Sequence, residues 1–202
     1  NSAELLSHDE TQQLLDKVAA RAPKLVEDLV PDKLSLATIT KVLQNILDES
    51  VSVRDMRTII EALATESVRT QDADELTAAV RPKLGRMIVQ GLVEINDNLP
   101  VITLEPSLEQ MLHNVLQQSA GNQSLVIEPK LAEGLLKALA ENTQAVENQG
   151  LPAVLVVSPG IRPWLSKIIR HRLTDLTVLS YSEIPEDQSV KVVATVNIDE
   201  TD

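Results

Sequence analysis

Ala153-Val154-Leu155-Val156-Val157-Ser158-Pro159-Gly160-Ile161-Arg162-Pro163 passes from a continuous apolar, largely β-branched run, through a tight turn, into the start of a helix. An apolar run without alternation marks a strand buried on both faces, as in a parallel sheet. The Ser-Pro-Gly turn holds a single glycine. A nucleophile elbow, a phosphate loop or a dinucleotide loop would need more, so the segment reads as a strand-to-helix connection and nothing further. Downstream, Ile161–His171 reads as a helix and Thr177–Leu179 and Val190–Val196 as strands. Upstream, Leu125–Ile127 reads as a short strand, and Pro129 opens a helix through Leu131, Leu135, Leu136 and Leu139. The order β-α-β-α-β-β predicts a small, partly parallel sheet covered by helices, the last strand free to add antiparallel.

Before this region the apolar spacing is helical. Ser7 with Glu10 forms a capping box for a helix over His8–Ala20, and Pro23–Leu29 is a short turn of helix. Ser35, Ser52 with Asp55, and Asp72 with Glu75 start three more helices. The last carries Leu76, Val80, Leu84, Met87 and Ile88 on one stripe that Pro82 interrupts. Leu92–Ile95 and Val101–Leu104 read as a hairpin around Asn96–Asn98, and Pro106 opens a further helix. The small polar stretch Ser119–Ser124 is the best linker. The expected class is α+β: a mainly helical subdomain with a β-hairpin, winged-helix-like in outline, then a small α/β subdomain.

Composition narrows the function. The chain has 202 residues, a net charge of −12, no Cys, one Trp, one Tyr and no Phe. Thiolate chemistry and Cys-based zinc sites are excluded, and both cores must be built from Leu, Val, Ile and Ala. The acidic balance opposes phosphate-backbone binding. A winged-helix reading would use Arg81, Lys83 and Arg86 on its recognition helix, against Asp72, Asp74 and Glu75 at the same helix's start. His8, His113 and His171 share no metal-ligand spacing, and the paired carboxylates sit at helix ends. No catalytic, metal or cofactor site is expected, and no enzyme activity. Partners are expected to be proteins, with no nucleic acid. A first residue other than Met suggests a piece of a longer protein.

Two segments carry a resemblance. One runs Leu25-Val26-Glu27-Asp28-Leu29-Val30-Pro31, through Val42-Leu43-Gln44-Asn45-Ile46-Leu47-Asp48-Glu49, into Val53-Arg54-Asp55-Met56-Arg57-Thr58-Ile59. The other is Val156-Val157-Ser158-Pro159-Gly160-Ile161-Arg162-Pro163, followed by Val178-Leu179-Ser180-Tyr181-Ser182-Glu183-Ile184-Pro185. Together they resemble the cytoplasmic C-terminal region of the FlhA/InvA family of type III export-gate proteins, with the flagellar branch favoured over the virulence one. The resemblance implies an inner-membrane protein whose membrane region precedes this sequence, so that these residues lie on the cytoplasmic side. It also implies a ring of copies, commonly nine, that docks export chaperones with their substrates and other export components. Residues 1–20 would end a preceding subdomain, 21–118 form the helical one, 124–196 the α/β one and 197–202 a tail. The alternatives are a soluble interaction adaptor that forms no ring, and the acidic winged-helix regulator.

The candidate interface residues follow. Asp9 and Glu10 would border the chaperone-docking hollow that the resemblance implies. Arg54, beside the capping Asp55, is free to reach a neighbour. Arg162, Lys167, Arg170 and Arg172 concentrate positive charge in an otherwise acid-rich chain. On a helix, Leu165, Ile168 and Ile169 would be its buried stripe, leaving the cations as an exposed basic edge.

Overall fold

The computed structural model describes residues 6–119 and 128–198. By internal contacts the chain divides into two units, Asn1–Ile88 and Val89–Asp202. Residues 125–127, expected as a strand, and most of the expected linker lie outside the described residues.

The first unit is helical. Its helices are α1 (His8–Ala19), α2 (Pro23–Leu29), α3 (Leu36–Asp48), α4 (Met56–Glu66) and α5 (Ala73–Val80), and the division between units falls within α6 (Gly85–Gln90). Each of the longer ones begins at a side chain that satisfies a first-turn amide. The Ser7–Glu10 capping box opens α1, Ser35 accepts from the Thr38 amide, and Asp72 accepts from the Glu75 amide. At α4 the expected start moves three residues on. Ser52 Oγ instead takes the Arg54 amide in a local turn, so Asp55 becomes the cap and accepts from the Thr58 amide. Pro82 falls in a 3-10 turn, Arg81–Leu84, between α5 and α6, where its missing N–H costs little. Leu15, Leu29, Ile39, Leu43, Ile46, Ile59, Ile60, Leu63, Leu76 and Val80 are fully buried in one shared core. Because α1 contributes Leu15 and Val18 to that core, residues 8–19 belong with the helices that follow them.

The second unit is built on β1 (Leu99–Leu104), α7 (Pro106–Gln118), α8 (Pro129–Glu147), β2 (Val154–Val157), α9 (Arg162–Ile169), β3 (Thr177–Ser180) and β4 (Val190–Val196). The four strands form one sheet in the order β3-β2-β1-β4, every pairing parallel. Two expectations are corrected here. No hairpin forms: residues 92–95 are turn, and Val101–Leu104 lies inside β1, paired with β2 and β4. The last strand adds parallel, not antiparallel.

The reason is readable in β1, which is apolar on both faces, as a central parallel strand must be. Pro100 is tolerated because β2 begins pairing only at Ile102, so at Pro100 only β4 lies alongside. The outline of a winged helix thus loses its wing. The contact division at residues 88 and 89 also differs from the one expected at 119–124, because β1 and α7 belong to the sheet. Ile102, Leu112, Leu135, Leu139, Leu155, Val157, Ile161 and Leu165 form its fully buried core.

Candidate interaction surfaces

Asp9 and Glu10 lie exposed in the first turn of α1, where negative charge is favoured by the helix N-terminus. Glu10 is engaged by its own helix, accepting the Ser7 amide at 2.7 Å. Arg54 is exposed in the extended segment before α4, and its guanidinium has no hydrogen bond or ion pair among the described residues. Thr58 binds both oxygens of Asp55, so this carboxylate is a cap and leaves Arg54 without a local counter-ion.

The four cations of the second unit do not form one exposed edge. Arg162 is buried, its side chain 6% exposed. The helix places it at the head of the stripe Arg162, Leu165, Ser166 and Ile169, all buried, so it faces inward with the core residues. Its Nε donates to the Val178 carbonyl at 3.1 Å and lies 3.2 Å from Glu183 Oε2. Glu183, also buried, accepts from Ser180 Oγ at 3.0 Å and from the Ser180 amide at 3.3 Å. A buried guanidinium requires such a partner. Arg172 is exposed, with Glu133 3.9 Å away. Lys167 is exposed and Arg170 half-buried, and both are engaged within the chain. What remains of the basic edge is Lys167, Arg170 and a paired Arg172.

The same logic weakens the DNA reading, which keeps only Lys83 and Arg86 as exposed cations. Arg81, the first cation of the presumed recognition helix, is 2% exposed and lies 3.1 Å from Glu49, tying the end of α3 to the turn after α5. Among the described residues no cluster of three or more His, Cys, Asp or Glu could hold a metal, and no helix is long and apolar enough to cross a membrane.

Sequence reasoning missed the carboxyl end of the sheet. Glu109, in the first turn of α7, accepts the Ser158 amide at 2.8 Å and the Tyr181 phenol at 3.0 Å. Burial, with the hydrogen bond and charge of Glu109 behind it, pushes the Tyr181 phenol up to about 12. Gly160 passes so close to α7 that a Cβ there would lie 3.2 Å from His113 Cε1. The strand-to-helix turn is thus committed to internal contacts. The signal available in the sequence was a carboxylate at the fourth position of a helix that follows a parallel strand.

Arg162 and Glu183 also explain how the two halves of the second recognised segment belong together. One ends β2 and starts α9, the other follows β3, and a buried ion pair joins them. Residues 1–189 match the FHIPEP family. The chain belongs to that family. Among FHIPEP relatives, it is 44% identical over 195 residues to the flagellar biosynthesis protein FlhA of Salmonella typhimurium, covering 96% of this chain and 28% of that protein. The chain therefore spans little more than a quarter of the curated relatives it matches. Among solved structures it is similar to the Chlamydia pneumoniae CdsV protein, with TM-score 0.87 and 25% identity over 98% of this chain and 56% of that one. It is also similar to a nonameric SctV-C from EPEC, with TM-score 0.83 and 28% identity over 97% of this chain and 59% of that one.

Proposed function

We propose that this FHIPEP chain is part of a flagellar type III protein-export gate. There it helps to dock export chaperones, their substrates and other export components on a ring of copies of itself. The observation that carries the reading is the match along nearly the whole chain to the flagellar FlhA, closer in identity than the match to the CdsV and SctV-C structures. The nonameric assembly of the EPEC relative supports a ring for the full-length protein. The role is one of binding and not of chemistry, on the cytoplasmic side of a membrane region that precedes these residues.

Two cationic surfaces and one acidic rim serve that role. Arg54 is an exposed cation without a partner among the described residues, suited to a carboxylate on the next subunit. Lys167 and Arg170, three residues apart on α9 and its end, offer the remaining positive face to an acidic partner. Asp9 and Glu10 form a polar rim at the start of α1.

The test is made in the complete cytoplasmic region for assembly and in the full-length protein for export. Arg54→Glu is expected to reduce ring formation, measured by light scattering of the complete cytoplasmic region across concentration, with the melting temperature unchanged. Lys167→Glu with Arg170→Glu is expected to lower export in cells at normal protein level. Normal ring formation and normal export in both variants would remove these surfaces. Failure of the complete cytoplasmic region to self-associate at any concentration would favour the adaptor reading.

A further inference from the structure

Past β4 the chain lies against α8. Ile198, two residues beyond the strand, packs on the core of the second unit. Its Cγ2 stands so near Gly134 that a Cβ built there would be 3.4 Å away. A glycine at this place lets the chain rest directly on the helix. The next residues, 199–202, read Asp-Glu-Thr-Asp and lie outside the described ones. The sequence thus brings three carboxylates to a point on α8 that Ile198 fixes.

That point is flanked by cations. Lys130 precedes Gly134 by four positions and Lys137 follows it by three, so both share its side of the helix. Both are exposed, and neither has an ion pair among the described residues. Glu133, the one carboxylate between them in sequence, has Arg172 3.9 Å away at the end of α9. Glu141 stands a turn beyond Lys137, in the less favourable order of lysine before glutamate. The two lysines are about 10 Å apart along the helix axis. Four extended residues reach about 13 Å, enough to meet either one from Ile198.

We propose that residues 199–202 are a built-in occupant of this lysine face, competing there with acidic partners of the second unit. The occupancy deepens the docking role proposed above and rests on it for the acidity of the partner. Arg172, beside Glu133, links the lysines of α8 to the cations at the end of α9. Attachment through Ile198 gives the acidic run an effective concentration on the order of millimolar at these lysines. A partner with one or two carboxylates is therefore held off, and one that offers a longer acidic surface displaces the run. Exposed pairs of this kind act within about 8–10 Å at physiological salt and fade as salt rises.

Two measurements on the intact chain test this. The amide NMR shifts of residues 199–202 are expected to move when Lys130→Gln and Lys137→Gln are combined. In about 1 M salt, where the Debye length is about 3 Å, parent and variant shifts should coincide. Neutralising the run, Asp199→Asn with Glu200→Gln and Asp202→Asn, should tighten binding of a labelled oligoglutamate peptide about threefold at about 0.1 M salt, the size that two exposed ion pairs allow. The gain should vanish when both lysines are glutamine. An equal neutralisation at the exposed Glu94, Asp97 and Glu186 should not reproduce it. Unmoved shifts would overturn the occupancy, as would no gain, a gain that the control matches, or one that survives loss of both lysines. Should Lys167→Glu with Arg170→Glu abolish peptide binding while the run has no effect, the docking face stands and its occupant falls. A lysine-dependent gain in a protein whose export ignores Lys167→Glu with Arg170→Glu would remove that face and keep the occupant.

Discussion

Arg162→Met asks whether the most sequence-conspicuous cation of the second unit is a docking residue or a structural one. Methionine keeps much of the side-chain length but removes the charge, leaving Glu183 with only its Ser180 contacts and the other groups around it in a site where its side chain is 3% exposed. Removing one partner of a buried ion pair costs about 3–5 kcal/mol, because the remaining charge is uncompensated. With a urea slope of about 2 kcal/mol/M, the unfolding midpoint should fall by about 2 M. Trp164, the sole tryptophan, packs against the same core two residues away, so its fluorescence reports this unit's transition. Replacing both partners, Arg162→Met with Glu183→Leu, should recover most of the loss, since an apolar pair of similar volume leaves no stranded charge. An Arg162→Met midpoint within about 0.5 M of the parent, a shift of about 1 kcal/mol at that slope, would refute the buried-pair argument, and so would a double variant costing the sum of the singles.

The Tyr181 phenol, the only one in the chain, should titrate in an ultraviolet pH scan near about 12 and not near its ordinary 10. A raised folded pKa means this contribution to stability is complete below about pH 10 and disappears as pH rises through about 12. Glu109→Gln should bring the midpoint only part of the way down, because burial, the larger cause, remains. Leu155→Ala, at a fully buried position in β2 flanked by Ile102 and Val178, should cost about 2–5 kcal/mol in chemical denaturation. A smaller loss would mean the strand is not packed on both sides. Gly160→Ala should destabilise by about 1 kcal/mol, since the new methyl must displace the His113 ring, and His113→Ala should abolish that cost. Equal costs in both backgrounds would show that the contact is not the cause.

Where local chemistry decides structure, it was legible. Ser7, Ser35 and Asp72 cap the helices their side chains mark, and the Val154–Val157 run is the buried strand its composition implies. Partner choice among strands was not. Val101–Leu104 lies near a polar turn that suggests a hairpin, but its partners are about 50 and 90 residues on, and nothing in a window of ten residues encodes them. The candidate surface failed at Arg162 for a related reason. Counting cations by proximity in sequence ignores that position 162 stands three before Leu165 and seven before Ile169, on the inward stripe. The partner that neutralises it, Glu183, lies beyond another strand. Lys167 is exposed because it stands off the buried stripe of α9, and Arg54 because it lies in the segment before α4 begins.

The parallel pairing of β1 with β4 also has a consequence in time. Thr103 meets Thr195 across 92 positions of chain, so a ribosome adding about 5–20 residues per second makes the second strand roughly 5–20 s after the first. The first unit, whose helices pack with neighbours close in sequence, can condense as soon as it emerges. During that interval Leu99–Leu104 is a finished apolar strand without its far neighbour. Synthesis therefore passes through a stage in which a sticky edge is open, and nascent-chain protection by chaperones should concentrate there.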